Sequence, residues 1–219
     1  MIKFIKDIEQ RSEAWYKLKV GVFSASEAHK LIWASKITEG AMTYIETKVS
    51  ELYVGDLQQV DSKAMEWGRL YEPVAKEFYQ KAKGVKISEV AFIINDKYEN
   101  CGVSPDGVNE FIKKGFEIKC PANPVNHLKL IKCNCASDLK KTKKEYYWQI
   151  VKSLLVSEFD TWDFISFHPD FLKVNDLRMW TFEITKEEVA KDIELLKKHL
   201  AEANIYRADL LKELESKSN

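Results

Sequence analysis

The sequence predicts an α/β (α+β) fold in which helices flank a central mixed β-sheet. Three observations carry that expectation. Apolar residues recur at helical spacing in several segments bounded by caps or stops. Branched and aromatic residues concentrate in short runs between those segments. The order is helices, a small strand cluster, a helix, two strands and a helix, which suits helices packed on a sheet. With 219 residues the chain can bury a large core as one domain, 1–219.

The elements follow in order. SASEAHKLIW offers Ser24 as an N-cap and Glu27 three residues on, a capping box, with Ala28, Leu31 and Ile32 as the apolar face of a helix. A second helix is expected from Ala41 to Val54, with Ile45, Val49 and Leu52 in register and Gly55 as its stop. A third starts near Ser62 and ends before Gly84. It carries Met65, Leu70, Val74 and Phe78, and Pro73 is expected to kink it or to start a fresh segment. Residues 85–94, 101–103 and 115–120 read as strands, the last two on either side of the turn SPDG. A long helix covers about 143–157, and residues 161–169 and 177–184 read as a hairpin pair. Thr185, with Glu188 completing a second T-x-x-E box, opens a last helix to about Glu215 whose apolar side holds Val189, Ile193, Leu196 and Leu200.

Composition narrows the function classes. No run of 18 apolar residues exists, and the N-terminus lacks a signal-peptide core, so a cytoplasmic protein without a membrane span is expected. Cys101, Cys120, Cys133 and Cys135 suit a reducing compartment, and the lone C-x-C is read as plain thiols. Acidic and basic residues balance at 34 each, so any polyanion-binding surface must be local. The lysine run at 129–146 reads, on charge alone, as a solvated loop and helix start. His29, His127, His168 and His199 show no metal spacing, and no P-loop motif appears, so ATP hydrolysis is not expected.

The chemistry concentrates in CGVSPDGVNEFIKKGFEIKCP, residues 101–121. Asp106 ends one strand on a turn shaped by Pro105 and Gly107. On the returning strand Glu117 and Lys119 project to one face and Phe116 and Ile118 to the other. Two carboxylates held together repel unless a cation stands between them. Oxygen donors suit Mg²⁺, with Mn²⁺ as a substitute, and such an ion can polarise a phosphoryl oxygen. On the helix at 62–83, Gly68 leaves space beside Glu72, one turn away. Gln149 lies among Tyr146, Trp148 and Ile150, where a buried amide needs partners. Ser24 and Ser26 lie at an expected helix start, which favours an anion.

The combination SPDG … FEIKCP resembles the PD-(D/E)xK nuclease superfamily, and more closely the lambda exonuclease and YqaJ-type viral recombinase family. Three further segments carry the likeness: AWYKLKVGVFSASEAHKLI (14–32), AMEWGRLYEPVAKEFY (64–79) and KEYYWQIVKSLLV (144–156). The strand FISFHPD fits after them, so the likeness is strongest over 14–170, with the helix at 185–215 beyond it. The resemblance implies a restriction-endonuclease-like core and a Mg²⁺-dependent exonuclease. Asp106, Glu117 and the Ile118 carbonyl would bind the metal, Lys119 would assist the attacking water, and Glu72 and Gln149 would support the site. It implies 5′→3′ digestion of linear double-stranded DNA to 5′-mononucleotides in phage-type recombination, by a homotrimeric ring with a single-strand annealing partner. Lys19 stands where the family has an arginine for the 5′-phosphate, with Ser26 as its serine; Arg11 and Lys17 are further cations in that region. A related endonuclease, a RecB-like single-strand nuclease and an inactive DNA-binding module are the alternatives.

Overall fold

The computed structural model describes residues 1–56 and 62–217. Strand β1 (Ile2–Ile5) leads to helix α1 (Glu13–Lys19), a 3-10 turn (Ala28–Leu31), α2 (Glu39–Val54) and α3 (Lys63–Lys83). Strands β2 (Phe92–Asn95), β3 (Gly102–Val103), β4 (Gly107–Asn109) and β5 (Lys114–Lys119) follow. The crossover α4 (Pro124–Leu130), α5 (Ala136–Thr142) and α6 (Lys144–Ser157) then leads to β6 (Thr161–Phe167), β7 (Met179–Thr185) and α7 (Ala190–Lys217). No helix among the described residues is long and apolar enough to cross a membrane.

The expected mixed sheet is present, in the order β4-β5-β6-β7, and a second, antiparallel sheet, β1-β2-β3, accompanies it. Within the mixed sheet, β5 and β6 run parallel, as the helical crossover between them permits, and β4 and β7 are antiparallel edges. The division explains why residues 85–94 are not one strand. Ser88 bridges to Val108 of β4, whereas Phe92–Asn95 pairs with β1, so the segment passes from one sheet to the other. Strand β1 lies in the N-terminal stretch, where charge interrupts the apolar residues and no strand is expected. Its register with β2 supplies the missing partner.

The helix ends at α2 and α3 match local signals. Thr38 and Ser62 accept hydrogen bonds from Ala41 N–H and Met65 N–H, and Gly55 and Gly84 close the helices with φ of 75° and 66°. Helix α3 continues as one element through Pro73. Its inward stripe is not Met65, Leu70 and Val74, which are exposed, but Ala75 and Tyr79, flanked by Trp67, Tyr71 and Phe78. These pack on Phe116, Ile118, Ile165 and Phe167, which period 2 places on one face of β5 and β6. In α2, Ile45 and Val49 are buried while Leu52 is exposed.

The capping box at Ser24 does not form. Only the 3-10 turn appears there, beginning after Glu27. Other partners claim both residues: Ser24 N–H donates to Tyr44 Oη at 3.3 Å, and the Glu27 carboxylate pairs with its near neighbour Lys30 at 2.6 Å and with the distant Lys48 at 3.5 Å. At the other end of the chain Thr185 Oγ1 does accept from Glu188 N–H, at 3.1 Å. Val189, Ile193, Leu196 and Leu200 join the larger core with α6, Trp162 and Phe164.

Candidate active site

The site is built on the β4–β5 ladder. Gly107 pairs with Phe116, so the same antiparallel register carried one step outward sets Asp106 across from Glu117. Asp106 Oδ2 accepts a 2.6 Å hydrogen bond from Ile118 N–H, which fixes the carboxylate against the edge of β5. The turn is held from behind, where Gln10 Nε2 donates to the Pro105 carbonyl at 2.8 Å. Gly107 permits the close approach: a Cβ there would meet Ile87 Cγ2 at 2.1 Å.

Glu117 is 1% exposed, and its Oε2 has no hydrogen-bond donor. Lys119 Nζ lies 2.5 Å from Glu117 Oε1 and 3.2 Å from Gln149 Oε1. The Lys119 ammonium also faces the Tyr146 ring, 4.8 Å from its centroid. Gln149 is buried on α6, and the Lys119 ammonium is a donor to its amide oxygen. Glu72 Oε2 is joined to Arg11 Nη2 at 2.8 Å. A Cβ at Gly68 would meet no atom within 4 Å, so the space one turn from Glu72 is open.

The electrostatics follow from this crowding. Burial, then the neighbouring Glu117 and Glu72 carboxylates, raise the Asp106 pKa well above its ordinary value. Burial raises Glu117 too, and the Lys119 ammonium partly offsets it. For Lys119, burial works against the charge but Glu117 and Asp106 outweigh it, so the ammonium is held firmly. Burial, with help from Glu72 and Asp106, pushes the Cys120 thiol up to about 12. An excess of negative charge over one lysine, in a buried site, fits a divalent cation. Among the described residues no three His, Cys, Asp or Glu side chains stand close enough to cage an ion. The ladder thus brings together two carboxylates, Asp106 and Glu117, while Glu72 is paired with Arg11.

A second group adjoins the first. Trp15 Nε1 donates to Ser104 Oγ at 3.0 Å and to the Ala91 carbonyl at 2.9 Å, and Lys19 Nζ sits over the Trp15 ring at 3.9 Å. Trp15 thus links Lys19 to the turn that carries Asp106. Burial and the nearby Lys48 lower the Lys19 pKa to about 8. Ser24 is buried and Ser26 exposed, with their hydroxyls 3.3 Å apart. The fully buried Lys152, also on α6, donates to the carbonyls of Phe23 and Ser24. Gln149 and Lys152, one helical turn apart, reach the two groups from one helix. Sequence reasoning passed over Ser104, Lys152 and the packing of Tyr146 on Lys119. The signal for Tyr146 was its place one turn before Gln149.

The family model described as YqaJ-like viral recombinase domain matches residues 14–160. No curated protein matches the chain. Among solved structures, an alkaline exonuclease (LHK-Exo) from Laribacter hongkongensis superposes with a TM-score of 0.74 at 24% identity, covering 95% of this chain and 100% of that one. The same enzyme in complex with dAMP gives the same figures, a TM-score of 0.74 at 24% identity over 95% and 100% of the two chains. A phage-related exonuclease from Haemophilus somnus 129PT gives a TM-score of 0.65 at 19% identity, over 88% of this chain and 96% of that one. At these identities the structural likeness establishes the fold.

Proposed function

Because the chain belongs to the YqaJ-like viral recombinase domain family, we propose that it is a divalent-cation-dependent deoxyribonuclease, an exonuclease that digests one strand of linear double-stranded DNA from its 5′ end. One observation carries the reading. Glu117 is 1% exposed with no donor to Oε2, the strand register sets it opposite Asp106, and the Lys119 ammonium lies 2.5 Å from its Oε1. Two buried carboxylates facing one ammonium leave an excess of negative charge that a further cation offsets.

Asp106, Glu117 and the Ile118 carbonyl would hold the ion, Mg²⁺ in the first instance and Mn²⁺ as a substitute. When bound, it supplies Lewis-acid polarisation of the phosphate and lowers the pKa of water. Lys119 sets an ammonium beside the phosphoryl group, where negative charge develops. Gln149 and Tyr146 orient that ammonium, and Glu72 supports the site through water. Attack of water on phosphorus with loss of the 3′-oxygen leaves a 5′-mononucleotide, the class to which the dAMP held by one similar structure belongs. Lys19, with Ser26 and Ser24, would take the terminal 5′-phosphate. A ring-shaped homotrimer on the duplex and a single-strand annealing partner complete the reading. Charge neutrality, with 34 acidic and 34 basic residues, suits enclosure better than adhesion.

The test is digestion of linear duplex with 5′-phosphoryl or 5′-hydroxyl ends, alongside a covalently closed circle, in Mg²⁺ and in chelator. Mg²⁺-dependent loss of the linear substrate, fastest with the phosphorylated end, is expected. Digestion in chelator, or cutting of the closed circle, would overturn the reading.

A further inference from the structure

Arg11 has a backbone that its residue type does not favour. Its φ is 70°, in the left-handed region that non-glycine residues enter at a cost. The loop is clamped on both sides of it. Gln10 Nε2 donates to the Val90 and Pro105 carbonyls at 2.9 and 2.8 Å, and Ser12 Oγ caps α1 by accepting from Trp15 N–H at 3.3 Å. The segment is thus tied at one end to the turn bearing Asp106 and at the other to the helix bearing Trp15 and Lys19. Between these ties the Arg11 guanidinium reaches Glu72 on α3, 61 residues away in sequence, at 2.8 Å.

The pair is only partly shielded: the Arg11 side chain is 42% exposed and that of Glu72 is 20% exposed. A half-exposed ion pair of this kind holds weakly. A guanidinium presents several N–H donors in a planar fork, and among the described residues its side-chain hydrogen bond is to one oxygen of Glu72. A DNA phosphate offers two oxygens to that fork, a geometry that Lys19 cannot match as a point charge.

We propose that Arg11 is a binding contact for a DNA backbone phosphate. Glu72 holds its guanidinium until that phosphate takes it, and the exchange frees Glu72 toward the cation site. The inference rests on the nuclease reading above and adds to the same site a coupling between substrate and ion.

The experiment compares wild type, Arg11→Gly and Arg11→Lys. Glycine suits φ of 70°, so the fold should survive, which thermal melting checks. Fluorescence anisotropy of a labelled linear duplex in chelator, over a salt series, reads the phosphate contact. Arg11→Gly should bind several-fold more weakly, with a log–log salt slope shallower by about one; Arg11→Lys should fall between. Calorimetric titration with Mg²⁺ in the absence of DNA reads the other half. Arg11→Gly should bind the ion up to about fivefold more tightly, the worth of an exposed ion pair. Unchanged duplex affinity and slope would overturn the proposal. So would joint weakening of both ligands, the mark of a structural prop. Failure of the nuclease reading shows separately, as wild type that leaves linear DNA intact in Mg²⁺, because the binding measurements need no turnover.

Discussion

Replacing Lys119 by methionine removes the ammonium from beside Glu117 while keeping most of the aliphatic stem. Glu117 is 1% exposed, so it would be left as a buried carboxylate across the ladder from Asp106. Breaking a buried pair by deleting one partner costs about 3–5 kcal/mol. Lys119 keeps 23% exposure, so solvent screens part of the interaction and about 2–3 kcal/mol is expected at alkaline pH. The cost must depend on pH, because Glu117 can escape by taking a proton. Its pKa is already raised by burial, and Lys119 is what pulls it back. Without that ammonium the folded-state value rises further above the unfolded one. A group raised in this way contributes stability that is complete below its unfolded pKa and is lost as pH rises through its folded pKa. The deficit of the variant should therefore be small near pH 5 and largest near pH 8.5. Urea unfolding at the two pH values measures it. DNA digestion in Mg²⁺ should fall by about 10²–10³ at pH 8, where the charge beside the phosphate is missing. An equal deficit at both pH values, or a larger one in acid, would refute the argument that Lys119 compensates Glu117.

Three further outcomes follow from the same geometry. Asp106→Asn keeps an oxygen for Ile118 N–H but removes one of the crowded charges, so the metal-free protein should melt higher while digestion falls at least about 10²-fold. The Mg²⁺-induced rise in melting temperature expected of wild type should vanish in that variant. Burial and Lys48 lower the Lys19 pKa to about 8, so the ammonium is present below that pH and lost above it. The preference for 5′-phosphoryl over 5′-hydroxyl ends should therefore shrink as pH rises from 7 to 9, and Lys19→Ala should flatten the profile. Gly115→Ala would place a Cβ 2.2 Å from the Trp162 ring on the neighbouring strand, an overpacking cost of about 1–3 kcal/mol or more by chemical denaturation.

Local physics wrote much of this structure into the chain. Side-chain alternation alone separates Glu117 and Lys119 from Phe116 and Ile118, and the sheet keeps that division. Ser62 and Gly84 bound α3 because a cap hydroxyl and a left-handed stop act within one turn of their own residues. Ser24 shows the limit of such reasoning: its cap signal is intact, but Tyr44 and Lys152, distant in sequence, take its backbone groups instead. The division of the strands into two sheets, the pairing of Arg11 with Glu72 and the burial of Lys152 are likewise products of the tertiary structure. Each depends on which segments meet in space. Propensity and periodicity act over a few residues, whereas strand register and long-range charge pairing are chosen by the packing of the whole chain.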